Sequence, residues 1–317
     1  MHTLYSVGSV GEASCQIGVD GGGTKTELIL VDAAGVVVAH RLAPGCNPSQ
    51  TGPEQAQIVL AEALAGLRAG FPTANIDRTL LCMAGNRAFW RETAAGLGGC
   101  GHVTTTDDSI PVLEVATRGQ PGLVLHAGTG SFVAARGPDG AAHYAGGLGW
   151  KLGDPGSGFD IGRRAIAQAM LELQGWSPFA ATGMSPLAAA LCAHTGTEDP
   201  GANSRFFYSD PAANARIADF APRVIELAAQ DCGPAQQVLA DSLTELARLA
   251  DQVIHQLFPR PTANLPCGIS GRILNSPPAV FALRSLASKL HWPVELNFIA
   301  TAPIEGVRRL LVAGRPL

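Results

Sequence analysis

An apolar strand that runs into an aspartate and three glycines constrains this chain more than any other feature. Residues 17–19 form the strand, Asp20 stands at its end, Gly21, Gly22 and Gly23 follow, and a second apolar strand begins at residue 27. A glycine turn lets main-chain amides approach an anion without hindrance from a Cβ. Thr24 and Lys25 add a hydroxyl and a positive charge for phosphate oxygens. The pattern predicts a phosphate-binding β-hairpin, although an ordinary glycine-rich turn fits the same letters.

Other glycine motifs are excluded by the letters around this turn. The chain has no Gly-x4-Gly-Lys-[Ser/Thr] run, so it has no P-loop, and the residues after Gly21 lead into a strand, which disfavours a dinucleotide fold. The spaced acidic ligands of an EF-hand are also missing. Asp20 stands at the end of the strand, where we expect it to hold a metal ion or its water shell.

A second turn of the same composition lies between strands predicted over residues 123–127 and 132–136. It consists of Gly128, Thr129, Gly130 and Ser131, and the run Gly-Pro-Asp-Gly then leads to a third strand. The first turn lies in the same kind of meander. We therefore predict a duplicated phosphate site in which the two turns hold opposite sides of a polyphosphate.

Length and element order indicate two domains. A chain of 317 residues exceeds what one hydrophobic core usually serves. Alternating strands and helices favour an α/β fold, with domains at 1–111 and 112–301 and a final helix, 302–317, that packs back on the first. The helices predicted from hydrophobic periodicity are 53–67, 161–173, 211–230, 233–258 and 278–290.

Paired aspartates follow a strand predicted over residues 102–106. Transfer of a phosphoryl group to an alcohol needs a carboxylate that orients the hydroxyl and takes its proton, and Asp107 or Asp108 can supply it. A helix N-cap explains the same letters, since Ser109 and Pro111 follow. One aspartate can cap the helix while the other catalyses.

A glycine-dense segment, residues 146–162, follows the second turn. Asp154 within it is a candidate ligand for sugar hydroxyls, and residues 156–158 can lie beside a phosphate at a helix start near Ile161. A long surface loop with Asp154 as an N-cap is the alternative.

Asn47 fits either a plain turn residue or an amide that faces a ligand. The four tryptophans, Trp90, Trp150, Trp176 and Trp292, are interpreted as packing residues.

Composition limits the partners. A formal net charge of −4 and the absence of any run of basic residues argue against nucleic acid or an anionic membrane, and a small molecule is expected instead. No apolar run is long enough to span a bilayer, and residues 1–14 do not resemble a signal peptide. Seven cysteines without a CxxC pair suit a reducing cytoplasm.

Taken in order, these motifs resemble the BadF/BadG/BcrA/BcrD ATPase family, within the actin-like, sugar kinase and Hsp70 superfamily. The resemblance covers nearly the whole chain and is carried by the two glycine turns and by Gly45-Cys-Asn47, Ala84-Gly85, Thr106-Asp-Asp108, Gly146-Gly147, Gly153-Asp154, Gly156-Ser-Gly158, Gly268-Ile-Ser-Gly271 and Ile304-Glu-Gly306.

The resemblance implies two ribonuclease H-like domains around a nucleotide and sugar cleft. Within the family the chain is most similar to bacterial glucosamine and N-acetylglucosamine kinases, which implies ATP, Mg²⁺ and transfer to a sugar 6-hydroxyl. It implies that Asp20 serves the metal, that Asp108 is the general base with Asp107 as the alternative, and that both glycine turns hold phosphates. Gly271 is then expected near the adenosine. The implied sugar ligands are Asn47, Asp108, Thr129, Gly147, Gly149 and Asp154.

Two positions depart from the pattern of N-acetylglucosamine kinases. Leu148 stands where a tryptophan is usual, and Pro155 stands where an acidic residue is usual. With a C-terminal segment similar to that of glucosamine kinases, these departures favour free glucosamine, with N-acetylglucosamine as the alternative. An ATPase that activates an iron–sulfur dehydratase or reductase is a more remote alternative, which the cysteine spacing does not support. A sugar-sensing module without catalysis is disfavoured by Asp20 and Asp108. A homodimer is implied by resemblance alone.

Overall fold

The computed structural model describes residues 14–176, 183–210, 212–261 and 263–314. Contacts divide the chain into two units: residues 1–118 with 301–317, and residues 119–300. The predicted domain boundary after residue 111 falls inside helix α4 (Ser109–Thr117). The division instead follows the end of that helix.

The first unit is built on a five-stranded sheet in the order β3-β2-β1-β4-β5. Strands β1 to β3 form an antiparallel meander, and β1, β4 and β5 run parallel. The strands are β1 (Ser14–Gly21), β2 (Lys25–Asp32), β3 (Val37–Pro44), β4 (Asn75–Met83) and β5 (His102–Asp107). The helices are α1 (Pro48–Thr51), α2 (Pro53–Ala69), α3 (Arg87–Ala95), α4 (Ser109–Thr117) and α12 (Pro303–Ala313).

Both faces of this sheet are buried, which explains why its central strands are nearly continuous apolar runs. Along β2, Leu28 and Leu30 belong to one core cluster, which includes residues of α2 and α3. Ile29 and Val31 belong to the other, with three apolar residues of α12. Successive side chains of a strand point to opposite faces of the sheet, so β2 contributes to one core cluster on each face.

The second unit repeats this strand order. Read from the edge strand of its meander, its sheet runs β8-β7-β6-β9-β10, with an antiparallel meander followed by parallel strands. Its strands are β6 (Gly122–Ala127), β7 (Ser131–Arg136), β8 (Ala142–Gly146), β9 (Leu265–Ser270) and β10 (Val294–Ile299). Its helices are α5 (Gly158–Leu173), α6 (Pro186–Thr195), α7 (Pro200–Tyr208), α8 (Ala213–Ala218), α9 (Ala221–Ala229), α10 (Gly233–Leu257) and α11 (Pro277–Lys289). The α/β fold class and the repeated meander are confirmed.

Two element predictions are corrected. The predicted helix 211–230 is two helices, α8 and α9, because Pro222 lacks an N–H and starts a new helix. Helix α5 begins at Gly158 rather than near Ile161, with Ser157 as its N-cap instead of Asp154.

Among the residues that the structure describes, no helix is both long and apolar enough to cross a membrane.

Candidate active site

The first glycine turn is held on both sides by main-chain hydrogen bonds. The N–H of Gly22 donates to Lys25 O at 3.0 Å, while Ala84 N–H donates to Gly21 O at 2.8 Å and Cys46 N–H to Gly22 O at 3.1 Å. Within the described chain, the N–H groups of Gly23 and Thr24 have no acceptor. Two consecutive free donors are what an anion-binding turn requires.

Beyond the turn, the register of the hairpin places Glu27 opposite Asp20. Glu27 is buried and accepts from Lys25 Nζ at 2.7 Å, and its other oxygen lies 2.8 Å from His40 Nε2. The predicted phosphate ligand Lys25 therefore lies in an ion pair. Burial raises the pKa of Asp20 to about 7, the charge of Glu27 adds to this, and Lys25 opposes it.

The structure distinguishes the two adjacent aspartates. Asp107 ends β5, and its Oδ2 lies 3.0 Å from Nε of Arg87 while its Oδ1 accepts from the hydroxyl of Ser109 at 2.9 Å. Ser109 N–H also donates to Asp107 Oδ1, so the aspartate before the N-cap makes the capping bond. Both carboxylate oxygens of Asp107 are thus engaged in structural contacts.

Asp108 occupies the N-cap position of α4, but its side chain makes no capping hydrogen bond. Burial raises its pKa to about 7, and the charges of Asp107 and Asp20 contribute in the same direction. Among the described residues, no lysine or arginine forms an ion pair with it. A carboxylate with a pKa near neutrality and no cationic partner suits a general base.

The donor set also suits one divalent cation. In the described ranges, no group of three or more His, Cys, Asp or Glu could hold a metal ion alone. Phosphoryl-transfer enzymes usually bind Mg²⁺ through one or two carboxylates together with substrate phosphates. The charge of Glu27 raises the pKa of Asp20, and the charge of Asp20 raises the pKa of Asp108. A cation near Asp20 would oppose both effects. These residues therefore fit the Mg²⁺ that the resemblance implies.

Asn47 makes the contact expected of a turn residue, and its role as a sugar ligand stays a prediction. Its Oδ1 accepts from Ser49 N–H at 3.0 Å, which makes it the N-cap of α1. A Cβ added to Gly85 would lie 2.6 Å from this oxygen, so the Asn47 amide packs closely against Gly85, two residues after the end of β4. The Nδ2 group has no acceptor in the part of the chain that the structure describes, and it is available to a ligand.

In the second unit, the other glycine turn is joined to the segment 146–162. Gly158 N–H donates to Gly128 O at 2.8 Å, and Gly147 N–H donates to Ser131 O at 3.1 Å. The hydroxyl of Ser131 donates to Pro155 O at 2.7 Å, so this predicted phosphate ligand has a structural contact. The N–H groups of Thr129 and Gly130 make no hydrogen bond to any described residue, as in the first turn.

Asp154 lies beside this turn. A Cβ on Gly130 would be 2.8 Å from Asp154 Oδ2, and Gly149 N–H donates to Asp154 Oδ1 at 3.1 Å. Burial raises the pKa of Asp154, while the N–H groups of Gly149 and Leu148 offset part of this. The structure thus brings the carboxylate, the second turn and the predicted sugar residues Gly147 and Gly149 together within one unit.

Gly271 has a structural reason to be glycine. Its φ is +93°, and a Cβ would lie 2.1 Å from Ala127 O, at the strand end that precedes the second turn. The backbone of the β9–α11 connection therefore approaches the turn closely. Its predicted place near the adenosine stays a prediction.

Sequence reasoning missed two side chains that contact predicted site residues or their neighbours, Glu27 and Arg87. Glu27 could have been predicted from hairpin register, because a β-turn at residues 22–25 puts residue 27 opposite residue 20. Arg87 carries no local signal, since its partner Asp107 lies 20 residues away in the chain. Trp150 is 42% exposed rather than packed in a core. Trp176 is also exposed, whereas Trp90 and Trp292 are buried as predicted.

Two sheets with the same strand order, each carrying a glycine turn with free amides between its first two strands, define the duplicated α/β fold of the actin-like, sugar kinase and Hsp70 superfamily. The sequence assigns the chain more narrowly. It belongs to the BadF/BadG/BcrA/BcrD ATPase family, whose sequence model matches residues 17–307. The predicted family is confirmed.

Similar proteins carry related names. The N-acetylmuramic acid/N-acetylglucosamine kinase of Clostridium acetobutylicum is 29% identical over 166 residues, which are 49% of this chain and 53% of that protein. The N-acetyl-D-glucosamine kinase of Dictyostelium discoideum is 30% identical over 163 residues, 46% of this chain and 51% of that protein. The matched segment thus spans about half the length of these curated relatives.

A solved structure matches over a longer range. The crystal structure named "Putative N-acetylglucosamine Kinase from Chromobacterium violaceum" has 26% sequence identity and a TM-score of 0.75, and it covers 95% of this chain and 99% of that one.

Proposed function

We propose that the protein is an ATP-dependent kinase that phosphorylates an amino sugar at its 6-hydroxyl. The observation that carries the proposal is Asp108, a carboxylate at a strand end with a raised pKa and without a cationic partner among the described residues. The names of the similar proteins support the same class of reaction. Family membership supports ATP as the donor.

In this proposal Asp108 accepts a hydrogen bond from the sugar hydroxyl and takes its proton as the hydroxyl oxygen attacks the γ-phosphorus. The bond from that phosphorus to the bridging oxygen breaks, and ADP leaves with the electron pair. The free amides of the two glycine turns bind phosphate oxygens, where they stabilise the charge that develops in transfer. A Mg²⁺ ion near Asp20 would neutralise phosphate charge when it is bound.

Recognition of the sugar is assigned to a second set of groups. Asn47 offers a free Nδ2 donor, and Asp154 offers an acceptor on Oδ2 beside Gly130. Hydroxyl groups of a sugar act both as donors and as acceptors, so a carboxylate and an amide are suitable ligands. We propose that these residues orient the acceptor and leave Asp108 for the reacting hydroxyl.

The identity of the amino sugar has two candidates. The names of the similar proteins favour N-acetylglucosamine. Leu148 and Pro155 favour free glucosamine, because they depart from the pattern of N-acetylglucosamine kinases. We take the N-acetyl sugar as the first acceptor to test, and glucosamine as the second.

The remote alternative, an activator of an iron–sulfur enzyme, is disfavoured by the cysteines. All seven lie in described residues; six are buried, and Cys192 is half-buried. A cluster shared between subunits needs cysteines that reach a surface. The structure offers no exposed cysteine for that purpose.

A coupled ADP-release assay tests the proposal. The panel contains N-acetylglucosamine, glucosamine, N-acetylmuramic acid, mannosamine and glucose, each with ATP and Mg²⁺, and the Asp108→Asn variant is the matched control. We expect ADP release that depends on an amino sugar in the wild type and is almost lost in the variant. ADP release that no sugar increases would overturn the proposed function. The ratio of kcat/KM for the two leading sugars decides between them.

A further inference from the structure

A short loop beside Asp154 has a defined backbone. This sugar loop, residues 147–153, contains three glycines with positive φ, at positions 147, 149 and 153. Two of its N–H groups, those of Leu152 and Gly153, donate to Gly149 O at 3.0 and 2.9 Å. The loop is therefore a built turn, and its side chains project from a fixed backbone.

The side chains of the sugar loop are unusually apolar for a surface. Leu148 is 62% exposed, Trp150 42% and Leu152 77%. These three residues follow one another at alternate positions, in a segment where glycines supply the bends. An exposed apolar group next to convergent polar groups is typical of a ligand site.

Trp150 differs from the two leucines because neighbouring side chains hold its ring. The ring centroid lies 5.5 Å from that of Phe159, with the planes tilted by 59°. Phe159 is itself buried in the first turn of α5, so it is a fixed support. Lys151 Nζ lies 5.4 Å from the Trp150 centroid, as in a cation–π contact.

The loop also connects this ring to the proposed sugar ligand. Gly149, the residue before Trp150, donates its N–H to Asp154 Oδ1. The bond anchors the backbone at Trp150 to a carboxylate whose Oδ2 lies beside the second glycine turn. The exposed ring of Trp150 thus belongs to the residue that directly follows an N–H group bonded to the proposed sugar ligand.

We infer that Trp150 is the aromatic platform for the acceptor sugar and a determinant of its specificity. The inference rests on the proposed function and extends it to a residue that the sequence interpretation assigned to packing. A pyranose ring presents apolar C–H groups on its faces, and these pack against an indole while its hydroxyls bond to polar ligands. In this chain Trp150 supplies the aromatic group of a loop in which residue 148 is a leucine.

Three variants test the platform by steady-state kinetics. Trp150→Ala should raise the KM for the preferred sugar about ten-fold, because roughly half an indole of apolar contact is lost, while kcat and the KM for ATP change much less. Trp150→Phe should retain most of the affinity. Trp176→Phe is the matched control, since this tryptophan is 81% exposed and outside the loop, and it should leave all constants unchanged.

A binding measurement gives a readout independent of turnover. Without nucleotide, the preferred sugar should change the tryptophan fluorescence of the wild type and of Trp176→Phe, and the change should be absent from Trp150→Phe. An unchanged sugar KM in Trp150→Ala, or a fluorescence response that persists in Trp150→Phe, would overturn the platform while the kinase function stands. Absence of sugar-dependent turnover in the wild type would overturn the function itself.

Discussion

Arg87 and Asp107 form a close ion pair, in which Nε and Nη2 of the arginine both lie 3.0 Å from Oδ2 of the aspartate. The pair lies at the carboxyl end of β5, one residue before Asp108. Asp107 is paired with Arg87 and bonded to Ser109, whereas the neighbouring carboxylate of Asp108 makes no capping bond and no ion pair with a described lysine or arginine. The pairing thus favours Asp108 over Asp107 as the general base.

Substitution of the two aspartates should separate these roles. Asp108→Asn should lower kcat by about 10² to 10⁴, which is the usual contribution of a general base, and should leave nucleotide binding largely intact. Asp107→Asn should keep most of the turnover. It should lower the free energy of unfolding by about 0.5–1 kcal/mol, because it weakens a partly exposed ion pair. Steady-state kinetics and denaturant unfolding measure the two effects. Loss of turnover in Asp107→Asn alone, with its fold intact, would assign the base to Asp107.

The pH profile should report the raised pKa of Asp108. A general base works in its ionised form, so kcat/KM for the sugar should fall as the pH drops through about 7. Removal of the positive charge in Arg87→Ala leaves Asp107 less neutralised, and this should move the acid limb upward by about half a pH unit. Arg87→Lys is the control. It keeps the positive charge, so its acid limb should lie close to that of the wild type. A limb that moves downward in Arg87→Ala contradicts the assignment.

Asp20 should make stability depend on pH in the opposite sense from an ordinary ion-paired carboxylate. Burial raises its folded-state pKa to about 7, above the value of about 3.9 expected when unfolded. Between these values the folded state retains a proton that the unfolded state has lost, so the contribution of Asp20 to stability falls as the pH rises through this window. Asparagine removes this titration. The apparent Tm of Asp20→Asn relative to the wild type should therefore rise from pH 4 to pH 7 and then level, measured without nucleotide and divalent cation. A difference that stays constant over this range would contradict the raised pKa.

The two glycine hairpins were predictable because their information is local. The aspartate, the glycines and the flanking apolar runs lie within one stretch of sequence, and the repeat of that stretch predicted the duplicated meander that the two sheets confirm. Pro222 likewise marked the break between α8 and α9, although the apolar periodicity across it predicted one helix. Local signals of this kind are present in the letters even where they compete.

Contacts between distant segments were not predictable in the same way. The pair of Arg87 and Asp107 depends on how α3 packs beside β5, and the letters around Arg87 do not specify that packing. Ser131 looked like a phosphate ligand from its turn, but a carbonyl 24 residues away accepts its hydroxyl. A single sequence identifies which side chains have suitable chemistry, and the tertiary contacts determine which of them remain free for it.

Asp154 should affect the acceptor more than the donor nucleotide. Asp154→Asn keeps an oxygen that can accept from Gly149 N–H, so the sugar loop should keep its backbone. The charge on Oδ2 is lost, and a charged hydrogen bond to a sugar hydroxyl is worth about 1.5–3 kcal/mol. The sugar KM should therefore rise by about 10- to 150-fold, with the KM for ATP nearly unchanged. Equal increases in both constants would show that Asp154 supports the phosphate turn and not the sugar.

The close approach of Gly271 to Ala127 should make an alanine there costly for two separable reasons. Alanine at a positive φ costs about 1 kcal/mol, and Gly196→Ala measures this cost alone, because Gly196 has a φ of +77° and no atom within 4 Å of the position of an added Cβ. Gly271→Ala adds a Cβ 2.1 Å from Ala127 O, so the end of β6 must shift. We expect it to lower the free energy of unfolding by about 3 kcal/mol or more, since overpacking typically costs about 1–3 kcal/mol beyond the backbone term. Denaturant unfolding of both variants measures the difference, and equal losses would mean that the connection after β9 moves away from the second turn without cost.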